Sequence, residues 1–134
     1  YITQEGVFYT MKQKIQFLLH TAGVFSYYYG YQYFIRSVEL AVQNPERLQS
    51  IQKEIYIIVA SEFQTSIASV ERDIRTIRDV MMKNGGEQLL IEMTGSPGWA
   101  HKIPYPRDLI AIFSQYLLRE YGMNSSQSIS SAQS

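Results

Sequence analysis

The sequence predicts an all-α protein, a single compact domain of about six helices containing a helix-turn-helix. Three observations carry that prediction. Apolar residues recur at spacings of three and four along most of the chain. Proline and glycine fall between these runs, where they punctuate rather than interrupt. There is little sign of the apolar-polar alternation that marks a half-buried strand. With 134 residues and 46% hydrophobic content, the chain can bury one core and reads as one domain over residues 1–123.

The first helix is expected over about 7–22. A second is expected over 31–43. Asn44 and Pro45 end it, because proline suits a first helical turn and restricts the residue before it. The third spans 47–63, where Ile51, Ile55, Ile58, Val59 and Phe63 make an amphipathic run. Residues 64–66 leave only a tight connection before the fourth helix, 67–84. Its stripe is Ile67, Val70, Ile74, Ile77 and Met81, spaced to share one side. Ser66 supplies an N-cap hydroxyl at its start, and Gly85 and Gly86 stop it. A fifth helix covers 87–94. Residues 95–106 (GSPGWAHKIPYP) form a loop whose Trp99 is expected to tuck against the core, and a closing helix covers 106–121. The tail 124–134, NSSQSISSAQS, has one aliphatic residue and is expected to be disordered.

Two helices joined by so short a turn as residues 64–66 have the helix-turn-helix geometry, placed here at about 47–84. The fourth helix carries Glu71, Arg72, Arg75, Arg78 and Asp79 away from its stripe. Periodicity alone allows two readings of that face. One is a nucleic-acid contact, and the other is a solvated surface with pairs such as Glu71 with Arg75 and Arg75 with Asp79, each contributing about 0.2–0.5 kcal/mol.

The surrounding residues favour the first. From about Lys14 to Tyr121 the chain resembles the C-terminal DNA-binding effector domain of the stage-zero sporulation response regulator of spore-forming Firmicutes, as a divergent member. IQFLLHTAGV (15–24) looks like the opening helix, and GYQYFIRSV (30–38) resembles the family's Gly-Tyr-x-Tyr-Leu-Arg helix start. IYIIVASEFQT (55–65) resembles the first helix of the motif with its Phe-x-Thr turn, and PRDLIAIFSQYLLREY (106–121) the closing helix. The strongest match is VERDIR (70–75), against Val-Glu-Arg-Ala-Ile-Arg on the recognition helix. By carry-over, Glu71, Arg72 and Arg75 are the base-reading candidates. The chemistry suits them, since an arginine fork bonds O6 and N7 of guanine and a carboxylate accepts from the N4 amine of cytosine.

Ser66, Ser69, Arg78 and Lys83 are candidates for backbone contact or support. Ser69 stands where the family has arginine, Thr76 where it has histidine, Asp73 where it has alanine, and Arg78 where it is apolar. The resemblance further implies double-stranded DNA as partner, a homodimer on DNA with the closing helix as contact, RNA polymerase as a second partner, and a cytoplasmic location. In the family a phosphorylatable receiver domain lies upstream. Tyr1 is not an initiator methionine and residues 1–13 are too few for a receiver, so the expectation is an excised effector domain or a receiver-less relative.

Composition bounds the remaining classes. Twelve Lys and Arg against twelve Asp and Glu leave zero net charge, so holding phosphate needs a local basic patch. Lys12, Lys14, Arg36, Arg47, Lys53, Lys83, Lys102 and Arg107 are scattered candidates, each reading first as a solvated side chain. The absence of cysteine excludes disulfides, iron-sulfur clusters and thiol catalysis. No apolar run approaches the about 18 residues of a membrane span, and no signal peptide is expected. No glycine-rich phosphate loop, Gly-x-Ser-x-Gly or His-Glu-x-x-His is present, so no enzyme, no cofactor and no small-molecule substrate is expected. His20 and His101 lack partners at metal-ligand spacing. The aromatic run FSYYYGYQYF (25–34) offers a stacking platform for bases but reads first as packing for the second helix. The alternative to a DNA-binding regulator is a divergent helical domain that has lost DNA binding and serves protein interaction or dimerisation.

Overall fold

Thr10 fixes where the first helix begins. Its hydroxyl accepts from the Gln13 N–H at 3.1 Å while the Gln13 carboxamide accepts from the Thr10 N–H at 2.9 Å, a reciprocal capping box. Helix α1 therefore runs Met11–Thr21, starting later than the expected position 7. The computed structural model describes residues 10–122, so residues 7–9 and the expected disordered tail lie outside the described residues.

Helix α2, Gly30–Gln43, crosses α4, Ile67–Lys83, at its first residue. A Cβ on Gly30 would sit 2.2 Å from the Asp73 carbonyl oxygen, so only glycine lets the two backbones meet there. At the other end of α2, Arg47 folds back and donates to the Leu40 carbonyl at 3.2 Å, which also accepts from the Asn44 N–H at 3.1 Å.

The third helical segment departs from the continuous helix expected over 47–63. Pro45–Ser50 is a 3-10 stretch capped by the Asn44 side chain, Gln52–Tyr56 is a π turn, and only Ile57–Glu62, here α3, is regular α-helix. Within the π turn the adjacent residues Ile55 and Tyr56 both enter the core. Phe63, expected on the apolar face, remains 40% exposed and meets the edge of Tyr33 with ring centroids 5.2 Å apart.

After α4, Gly85 adopts φ 85° and Gly86 opens α5, Gly86–Thr94. The 95–105 loop includes a 3-10 turn at Pro97–Trp99; Trp99 is partly buried against the core, and the Lys102 ammonium lies 4.9 Å from its ring centroid. Helix α6, Pro106–Leu117, passes into a π turn, Leu118–Gly122. The all-α prediction holds, and no strand occurs among the described residues.

Helices α2, α4 and α6 carry the core. Ile15, Phe34, Ile55, Ile74, Leu90 and Phe113 are fully buried, and Phe34 meets Phe113 edge-on at 5.0 Å. Buried hydroxyls are satisfied locally: Ser37 donates to the Tyr33 carbonyl at 2.7 Å and Ser114 to the Ala111 carbonyl at 3.0 Å. Helix α6 faces inward through Leu109, Ile110, Ile112, Phe113 and Leu117, which leaves its solvent side mainly to Arg107 and Gln115.

Candidate nucleic-acid interface

The junction between α3 and α4 is built to hold one angle. At the end of α3 the Thr65 N–H bonds the Ala60 carbonyl at 2.9 Å and the Gln64 N–H bonds the Ser61 carbonyl at 3.3 Å, with Gln64 left-handed at φ 54°. This is the Schellman pattern with glutamine in the place glycine usually takes. Arg36 on α2 grips Glu62 with two bonds, Nε to Oε1 at 2.8 Å and Nη2 to Oε2 at 3.1 Å, and reaches Glu39 at 3.6 Å. The paired carboxylate and guanidinium stabilise each other's charge, so Glu62 is held below and Arg36 above its ordinary range.

Ser66 then starts α4 as expected. Its Oγ accepts from the Ser69 N–H at 3.1 Å and donates to the Ser69 hydroxyl at 2.9 Å, so the two serines form one cap. Val70, Ile74, Ile77 and Met81 are fully buried and Ile67 partly so, which sets the opposite face outward. Arg72, Arg75, Thr76, Asp79 and Lys83 occupy that exposed face.

The charged residues are arranged differently from the surface pairs that periodicity allowed. Neither Glu71–Arg75 nor Arg75–Asp79 forms an ion pair among the described residues. Arg72 touches its neighbour Asp73 at 3.2 Å yet keeps 68% of its side chain exposed. Arg78 points off the open face: its side chain is 18% exposed, with Nε on Asp79 at 3.0 Å and Nη1 on the Pro104 carbonyl at 3.5 Å. Lys83 lines a broad cleft of about 580 Å³ with Asp79, Glu87 and Lys102 among its walls.

Glu71 is half-buried on the edge of α4 and accepts a hydrogen bond from the Gln52 amide of the π turn. Beside it is a cleft of about 430 Å³ walled by Ile51, Tyr56, Glu71, Arg75, Tyr105 and Arg107. Burial pushes the Tyr56 phenol up to about 12; the Glu71 carboxylate adds to the rise, and Arg75 and Arg107 act against it. Those three charges therefore surround one hydroxyl. Gln52 and Tyr56 went unassigned in the sequence and Arg107 read first as one solvated cation among several, because they come from segments distant from α4 and only the fold brings them to its edge.

On the opposite edge of α4, the aromatic run divides. Tyr31 and Phe34 are buried as packing, whereas Phe25, Tyr27 and Tyr29 are exposed at 43%, 73% and 84%. His20 is occupied by the Tyr31 hydroxyl at 3.0 Å. No helix among the described residues is long and apolar enough to cross a membrane.

The sequence matches the family described as "Sporulation initiation factor Spo0A C terminal" over residues 15–117. That family is the DNA-binding effector domain of a sporulation regulator and is not an enzyme family. The match starts at the first buried residue of α1 and ends at the last of α6, so it takes in the whole core described above. The chain belongs to the Spo0A C-terminal family, the DNA-binding part of a sporulation initiation factor.

Proposed function

We propose that the chain is a sequence-specific transcriptional regulator that binds double-stranded DNA with residues 47–84 as a helix-turn-helix and α4 in the major groove. Glu71, Arg72 and Arg75 read base edges. Ser66 and Ser69 support the start of α4 and lie at the DNA backbone, Lys83 contacts phosphate at its far end, and Arg78 supports by fastening the 95–105 loop. The chain acts in the cytoplasm, binds DNA as a homodimer and engages RNA polymerase.

The observation that supports this most is the open face of α4. Arg72 and Arg75 stand exposed, opposite a fully buried stripe, and Arg75 makes no hydrogen bond or ion pair among the described residues. A guanidinium in that state can present its fork to guanine without first breaking a strong contact.

Fluorescence-anisotropy titrations test it, using a duplex with the family's target box and a scrambled duplex at two salt concentrations. The expected result is salt-dependent binding that prefers the target. Arg72→Ala and Arg75→Ala should each cost about 1–3 kcal/mol on the target and narrow that preference. Absence of binding to either duplex at low ionic strength would overturn the reading.

A second reading, a helical domain that has lost DNA binding and serves protein interaction or dimerisation, draws on the Arg72–Asp73 contact. Asp73 holds a negative charge beside a proposed reader. The same titration separates the two readings, because the interaction module binds neither duplex.

A further inference from the structure

The cations of this neutral chain are unequally committed. Arg36 is spent on Glu62 and Glu39, Arg47 on the Leu40 carbonyl, Arg78 on Asp79 and Pro104, and Arg119 on Glu120 and the Met93 carbonyl. Lys53, Arg75 and Arg107 make no ion pair or hydrogen bond among the described residues, and they come together at one place. Arg75 and Arg107 line the 430 Å³ cleft at the Glu71 edge of α4. Arg107 and Lys53 line a second cleft of about 280 Å³, and the two share Ile51 and Arg107 as a common wall. The floor of the second cleft is polar, with Gln49, Ser50 and Gln52. The single carboxylate lining the pair, Glu71, accepts from Gln52.

From this convergence we infer that the joined clefts are a seat for the sugar-phosphate backbone of one strand of the bound duplex, with Lys53 and Arg107 as its phosphate contacts. The inference rests on the DNA reading above. An α-helix with its side chains is about 10–12 Å across and the major groove is about 12 Å wide, so a helix lying in the groove has a phosphate ridge along each edge. The ridge on the Glu71 edge of α4 meets this concave, uncommitted basic surface. Contacts of this kind fix register and carry no base preference. They also resolve how a neutral chain holds a polyanion: three cations, Lys53, Arg75 and Arg107, line the joined clefts against one carboxylate, Glu71, so the local charge at this edge is net positive.

The test uses the full chain and the same two duplexes over a series of salt concentrations. The double change Lys53→Ala with Arg107→Ala should weaken binding to target and scrambled duplexes alike, by roughly tenfold, and make the salt slope shallower by about 1.8. The charge-keeping pair Lys53→Arg with Arg107→Lys should retain the wild-type slope. Wild-type affinity and slope in the alanine pair would overturn the seat while leaving the DNA reading intact. So would a loss confined to the target duplex, or an equal loss in the charge-keeping pair. Failure of the wild type to bind either duplex would instead overturn the DNA reading, and the seat with it.

Discussion

Gly30 shows how single residues decide where α4 is held. Any side chain there would drive a carbon to 2.2 Å from the Asp73 carbonyl and 2.8 Å from Ile77 Cγ1, so α2 and α4 would have to part. Gly30→Ala should therefore destabilise the fold by about 1–3 kcal/mol, the usual cost of overpacking. A urea melt of the variant checks this, and an unshifted midpoint would show that the crossing yields more easily than described. At Arg72, magnitudes decide between two partners. An exposed contact such as that to Asp73 is worth about 0.2–1 kcal/mol, whereas a bidentate guanine contact discriminates by about 1–3 kcal/mol. On the proposed reading, the base contact therefore outweighs the contact to Asp73.

At the scale of elements, the pair α3–α4 depends on a clamp from α2. Arg36 bonds both oxygens of Glu62, the last residue of α3, and so fixes the helix just before the turn at 63–66. The Glu62 carboxyl is lowered by this bond, so the folded state binds that proton less tightly than the unfolded state. The clamp's contribution is therefore present above the unfolded value of about 4.3 and is lost as the pH falls through the lower folded value. Thermal melts from pH 6 to pH 3 should show Glu62→Gln less sensitive to acid than the wild type. Equal acid sensitivity would mean the clamp contributes nothing measurable.

The same scale shows what the sequence made legible. The α4 stripe and its cap were readable because both are set by neighbours three and four positions apart: Val70, Ile74, Ile77 and Met81 are buried and Ser66 caps. The Thr10–Gln13 capping box carried an equally local signal, which places the start of α1 at Met11 rather than near position 7. The 3-10 and π departures before α3 were not readable. Ile51, Ile55 and Val59 fit a regular helix, and nothing in their spacing marks the wider turn at Gln52–Tyr56. For the site, α4 and its exposed arginines were legible. The partners of its edge were not, because Gln52 reaches Glu71 and Arg78 reaches Pro104 across 19 and 26 positions.

For the molecule as a whole, zero net charge describes a sum and not a surface. The guanidinium groups of Arg36, Arg47 and Arg78 are consumed in holding elements together, whereas Lys53, Arg75 and Arg107 stand open along α4 and its Glu71 edge. The domain thus combines a closely packed helical core with an α4 edge on which positive charge is available. That combination belongs to a family whose work is binding DNA. The most direct test of α4 as the reading element is an amide NMR titration of the chain with the target-box duplex. The expected result is that the largest shifts fall on residues 66–83, with Arg72 and Arg75 among them. Shifts centred instead on the exposed aromatic edge at residues 25–29, or none on α4, would contradict it.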